Sequence, residues 1–146
     1  MSEHDHGRAE AIALVERWID SFNGGWPTDE TFDELLTADA VFVERPNLVN
    51  PAGSERDIPA MRAGVAAGQG LLADQRYDID GHVVDGDTVA TRMRWRGTLA
   101  INAAAWKAGT VLSAFCVAHY TLRDGRIARI EQHDCYGAPQ PPAPRG

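Results

Sequence analysis

Residues 77–96 read YDIDGHVVDGDTVATRMRWR, and they carry the change of period that decides the fold. Before Asp74 the apolar residues recur at helical spacing; after it they alternate with polar ones, as along a strand with one buried face. Tyr77, Ile79 and Val83 alternate with Asp78, Asp80 and His82, and Asp85-Gly86-Asp87 then turns the chain. Val89, Thr91, Met93 and Trp95 alternate in turn with Arg92, Arg94 and Arg96. One face of this hairpin is predicted to be buried, and the other carries three cations.

Working towards the C-terminus, an Ala-rich loop spans about residues 100–109. A long strand is expected over 111–123, a turn at Asp124-Gly125 and a last strand over 126–136. Residues 138–146 hold four prolines and are expected to be disordered. Working towards the N-terminus, Ile12, Val15, Ile19 and Phe22 lie on one stripe of a helix over residues 9–22, closed by Asn23-Gly24-Gly25. Thr28 can cap a second helix bearing Phe32, Leu35 and Leu36, and Val41-Phe42-Val43 reads as a short strand ended by Pro46. Residues 47–56 read as a loop. Asp57 caps a third helix that Gly68 and Gly70 end. Residues 1–7 are expected to be a flexible, polar N-terminus in which His4, Asp5 and His6 offer at most a weak metal site.

Helices first and four consecutive long strands afterwards predict an α+β fold, with three helices packed on one face of an antiparallel sheet. The 146 residues suffice for one domain with a substantial core. The net charge of −7, with no Lys/Arg run, disfavours nucleic acid as a partner. No apolar stretch approaches the roughly 20 residues needed to span a bilayer. Two cysteines, Cys116 and Cys135, fit a reducing compartment, and a cytoplasmic location is expected.

The order of elements, with Val15-Glu16-Arg17-Trp18-Ile19, Phe42-Val43-Glu44-Arg45-Pro46 and Asp124-Gly125-Arg126-Ile127, resembles the nuclear transport factor two-like superfamily over roughly residues 8–137. That superfamily includes ketosteroid isomerases, limonene epoxide hydrolases and SnoaL-like polyketide cyclases. The resemblance implies a cone-shaped sheet with a ligand between its concave face and the helices. Counting back and forward from the turn, it also implies an inward set of Ala114, Cys116, Ala118, Tyr120 and Leu122, then Ala128, Ile130, Gln132, Asp134 and Tyr136. Thr91, Met93, Trp95, Phe42 and Glu44 join them.

The family's active sites can be matched position by position. The epoxide hydrolase pattern asks for an inward Arg and Asp on one strand and an Asp on the last; Met93, Trp95 and Gln132 stand there. The ketosteroid isomerase pattern asks for a helix Tyr and two Asp; Trp18, Arg45 and Ala118 stand there, with Glu44 one residue from the base position. The SnoaL-like acid/base Asp is matched by Gln132, and Asp134 is the nearest replacement on the same face.

An inward carboxylate bordering apolar walls has its charged form desolvated, which raises its pKa towards the range useful for acid/base chemistry. Asp134 is therefore the candidate acid/base, Tyr120 or Tyr136 a hydrogen-bond donor to a substrate oxygen, and Glu44 a possible second carboxylate. Trp18, Phe42, Met93, Trp95, Cys116, Ile130, Gln132 and Tyr136 are expected to bind substrate. A rim carboxylate without chemistry, an ion pair of Glu44 with Arg45 or with an Arg on a neighbouring strand, and aromatic residues serving only the core are the competing readings. No metal or cofactor is expected.

These residues point to a cofactor-free isomerase, cyclase or hydrolase acting on a small hydrophobic oxygenated metabolite. The alternatives are a non-catalytic binding protein for an apolar metabolite and a structural dimer with a vestigial pocket. Phe115, Val117 and His119 make the outer face too apolar for water, so a homodimer is expected through it. Cys116 faces inward and Cys135 outward, which disfavours a disulfide between them. The inward set depends on a bulge at the Asp124-Gly125 turn; with a plain two-residue hairpin, Glu131 and His133 would face inward and Asp134 outward.

Overall fold

The switch of period marks the border between helices and sheet. In the computed structural model, which describes residues 3–144, the helices are α1 (Glu3–Asp20), α2 (Asp29–Leu35) and α3 (Ile58–Leu71). The strands are β1 (Leu36–Glu44), β2 (Ser54–Arg56), β3 (Leu72–Asp85), β4 (Thr88–Leu99), β5 (Val111–Arg123) and β6 (Arg126–Tyr136), in the order β2-β1-β6-β5-β4-β3. The four long strands form the expected antiparallel meander. The sheet is not wholly antiparallel, however, because β1 runs parallel to β6. These two strands come from distant parts of the chain, so no tight turn dictates their direction.

Helix starts follow their caps. The Thr28 side chain accepts from the Thr31 backbone N–H at 3.2 Å, and the Thr31 side chain returns the bond to Thr28 N at 3.0 Å. Asp57 accepts from Ala60 N at 3.0 Å. Each such cap satisfies an otherwise orphaned donor and is worth about 1 kcal/mol. Helix α1 begins at Glu3, inside the segment expected to be flexible, and His6 pairs with Glu10 one turn on at 2.8 Å. The side chain of His4 lies outside the described residues. Where α1 ends, Asn23 donates to Tyr77 O at 2.9 Å and accepts from Tyr77 N at 2.7 Å, fixing the helix end to β3.

Departures from strict alternation shape the sheet, one of them at Ala73, between the Leu72–Leu99 and Asp74–Thr98 pairs. In β3, Ile79 pairs with Met93 but Gly81 with Arg92, so Asp80 is an extra residue. Beyond it the faces exchange. His82, read as outward, has a side chain 8% exposed, while Val83, read as inward, is 68% exposed. His82 bonds Thr91 Oγ1 and Glu16 Oε1, each at 2.8 Å, and so ties α1 to the sheet.

The Asp124-Gly125 turn is a plain two-residue hairpin with both residues at positive φ (53° and 75°), the type I′ geometry for which Gly is suited. The expected bulge lies further on. Thr121 pairs with Arg129 and Leu122 with Ile127, leaving Ala128 as the extra residue. Ile127, fully buried, therefore takes the inward place expected of Ala128, and from Ile130 onward the expected facing holds. A further departure lies in β1, between Leu36 and Val41. Bulges of this kind bend and twist a sheet.

Two segments add to the sheet. Residues 54–56, read as loop, add an edge strand to β1. Gln140 exchanges two backbone hydrogen bonds with Val111 at 2.8 and 2.9 Å, an isolated bridge at the start of β5. No described helix is long and apolar enough to cross a membrane.

Candidate functional site

Strand register brings the inward residues into rows. Tyr77 lies opposite Trp95, Trp95 opposite Ala114 and Ala114 opposite Tyr136; in the next row Met93 lies opposite Cys116 and Cys116 opposite Asp134. The small side chains of Ala114 and Cys116 leave the centre of the concave face open, and the larger ones close around it. A cavity of about 460 Å³ results. The helices roof it with Trp18 and Phe32 and with one side of α3.

Of the candidate residues, Trp18, Phe42, Glu44, Met93, Trp95, Cys116, Tyr120, Gln132, Asp134 and Tyr136 line this one cavity. Ile130 does not. It is 1% exposed and belongs to the core beneath, paired across from Phe42 and Tyr120.

The polar groups of the cavity are connected. Gln132, itself buried, donates from Nε2 to Asp134 Oδ1 at 2.9 Å. Burial pushes the Cys116 thiol well above its ordinary range, and the neighbouring Asp134 charge adds to the effect. Burial likewise raises Tyr77 and Tyr120, with Cys116 and Asp134 contributing, and raises Tyr136, with Asp134 and then Glu44 contributing. Three phenols and a thiol thus keep their protons around one carboxylate. They can donate hydrogen bonds and cannot readily act as anionic nucleophiles.

Glu44 is held by Asn47, whose Nδ2 donates to its Oε2 at 2.8 Å. Arg45 pairs instead with Glu131 at 3.3 Å, so the anticipated Glu44–Arg45 ion pair is not formed.

Several lining residues went unrecognised as site residues in the sequence. Gln75 accepts from Trp95 Nε1 at 3.0 Å, which leaves its own Nε2 buried and without a hydrogen-bond partner among the described residues. Its signal was a polar residue in phase with Tyr77 and Ile79. Tyr77 itself read only as a strand residue. Arg56 lay within an apparent loop, and Trp26 and Trp106 lay in connecting segments; all three line the cavity. Among the described residues no group of three or more His, Cys, Asp or Glu is placed to hold a metal.

The outer face is as its parity requires. Phe115 is 70% exposed, Val117 is 36% exposed, and His119 stacks edge-on against His133 at 5.9 Å. Cys116 and Cys135 are both free thiols, one buried and one exposed.

Residues 15–130 match the family model described as the SnoaL-like domain. Among solved structures, IdmH of Streptomyces antibioticus, a candidate polyketide cyclase, is 26% identical over 85% of this chain and 91% of its own, with a TM-score of 0.71. TsrD of Streptomyces laurentii is also 26% identical, over 87% of this chain and 89% of its own, with a TM-score of 0.67. An epoxide hydrolase from M. tuberculosis resembling limonene epoxide hydrolase shares the fold at 19% identity, over 88% of this chain and 84% of its own, with a TM-score of 0.63. No curated protein is similar enough in sequence to count as a match.

Proposed function

The chain belongs to the SnoaL-like domain family, and on that footing we propose that it is an isomerase, cyclase or hydrolase. It uses its own side chains as acid and base on a small, hydrophobic, oxygenated molecule. The observation that carries this reading is the Asp134 carboxylate, held by Gln132 inside an apolar cavity and surrounded by protonated phenols. A general acid/base has to reach the reacting proton, and developing negative charge on a substrate oxygen has to meet preorganised donors.

In this proposal Asp134 removes or returns a proton next to a substrate carbonyl. Tyr120, Tyr136 and Tyr77 are the available donors to the oxygen on which charge accumulates. Glu44, whose charge bears on Tyr136, is the second carboxylate. Trp18, Phe42, Met93 and Trp95 hold the apolar body of the substrate, and Cys116 fills the floor as a neutral thiol. The likeness to IdmH, at 26% identity, supports the cyclase branch.

The test is Asp134→Asn. Ligands are first found as oxygenated apolar compounds that raise the melting temperature, then assayed for turnover. Loss of turnover by a hundredfold or more with affinity retained supports the assignment. Unchanged turnover rejects it.

A second reading, a protein that binds an apolar metabolite without converting it, is favoured by one observation. Gln132 stands where the resemblance places the family's acid/base Asp, and it already occupies one oxygen of Asp134. Ligand binding by the wild type with no turnover of any bound compound would select it.

We also propose that two copies associate through the outer sheet face, where Phe115 is the most exposed large apolar side chain. The working compartment proposed is a reducing cytoplasm, in which both thiols persist.

A further inference from the structure

Among the described residues lining the cavity, Arg56 is the one cation, and its side chain forms no ion pair or hydrogen bond within the described residues. Its neighbours do otherwise. Arg45 is paired with Glu131, and Arg62 with Asp29 and Asp33. Glu44, on the adjoining strand and lining the same cavity, is engaged by Asn47.

Arg56 is also specifically accommodated. It ends β2 opposite Phe42, and its guanidinium rests against Gly64 of α3, where a Cβ would lie 2.6 Å from Nη1. One helical turn on, Gly68 takes the ring of Trp26 in the same way, with a Cβ position 2.6 Å from the indole. Two bare positions four residues apart form one strip of uncovered helix surface. Arg56 and Trp26 both lie on it and both line the cavity.

We propose that Arg56 is a specificity-determining residue that binds a carboxylate on the substrate. This deepens the reading of the cavity as a small-molecule site and rests on it. A planar guanidinium fork matches a carboxylate in two parallel hydrogen bonds, and at a partly desolvated wall such a charge-assisted pair discriminates strongly against the neutral ester. Arg56 is two strands from β6, and its row, through Phe42, meets β6 at Ile130, four residues before Asp134. With strands about 4.8 Å apart and about 3.3 Å per residue, the two Cα atoms are roughly 16 Å apart along the sheet. The substrate thus carries its carboxylate at the end away from the atoms Asp134 would act on.

The experiment compares 4-cyclohexylbutanoate with its methyl ester. All four tryptophans line the cavity, so intrinsic fluorescence reports its filling. The expected result is at least tenfold tighter binding of the acid by the wild type. Arg56→Gln should remove that preference and leave ester affinity within twofold. Gly64→Ala favours the helix, so it should not lower the melting temperature, yet its methyl group displaces the guanidinium and should weaken the acid about fivefold. Equal affinity for acid and ester, or a preference that survives Arg56→Gln, overturns the carboxylate proposal alone. No binding of either compound overturns the small-molecule reading as well.

Discussion

Trp95 donates its indole N–H to the side-chain oxygen of Gln75 at 3.0 Å, and this one bond orients the amide so that its buried NH2 group has no acceptor among the described residues. A donor desolvated in advance strengthens any hydrogen bond a ligand oxygen makes to it. Gln75→Leu is therefore expected to weaken an oxygenated ligand about tenfold, or about 1.4 kcal/mol. Binding of a pure hydrocarbon of similar size should stay nearly constant. Calorimetric titration of both ligands checks the difference, and equal losses would show that Gln75 only shapes the wall.

Alkaline stability should reveal the protonated cluster. Cys116, Tyr77, Tyr120 and Tyr136 all have folded-state pKa values raised above the ordinary 9.0 of a thiol and 10.0 of a phenol. As pH rises, the unfolded chain releases these protons first. The stability they contribute is complete below about pH 9 and is lost as pH climbs towards the folded values. Each group adds a slope of about 1.4 kcal/mol per pH unit once its unfolded form has ionised. Urea midpoints should be flat from pH 7 to 8.5 and fall steeply above 10, and Tyr120→Phe should make that fall shallower.

His82 joins α1 to the sheet through Glu16 and Thr91, and Thr91 is fully buried. His82→Ala removes both bonds and strands the Thr91 hydroxyl, at an expected cost of about 2 kcal/mol. For a chain of this size that corresponds to a fall of roughly 4–8 °C in melting temperature. A change below 1 °C would mean that the link carries no net stability.

The outer face gives a mass prediction. Light scattering at micromolar concentration should give about twice the 15.9 kDa of one chain. Phe115→Glu should return the single-chain mass without lowering ligand affinity, because Phe115 lies on the opposite face from the cavity. A wild-type monomer would remove the dimer.

The parts of the fold that could be read from sequence were those set by local periodicity and caps. The stripe on α1, the Thr28 and Asp57 caps and the four-strand meander all follow from spacing and side-chain chemistry. The parallel pairing of β1 with β6 is not local, and no residue of either strand announces it. The extra residues Asp80 and Ala128 are equally silent, because one added residue changes register without changing composition. That is why His82 and Val83 were assigned to the wrong faces. The cavity-lining residues that were legible, such as Met93, Cys116 and Asp134, sit in phase on long strands. Arg56 and Gln75 were not, since their importance lies in what they fail to pair with.

Ala128 works as a phase marker for the strand that follows. Downstream of it β6 carries two interleaved inventories, Gln132, Asp134 and Tyr136 on one side and Glu131, His133 and Cys135 on the other. Taking Ala128 into regular register opposite Thr121 would exchange them, presenting a glutamate, an imidazole and a thiol to the cavity with every other strand unchanged. In this architecture a one-residue slip at the bulge, rather than a substitution in the cavity, is the shortest route between two different sets of reactive groups.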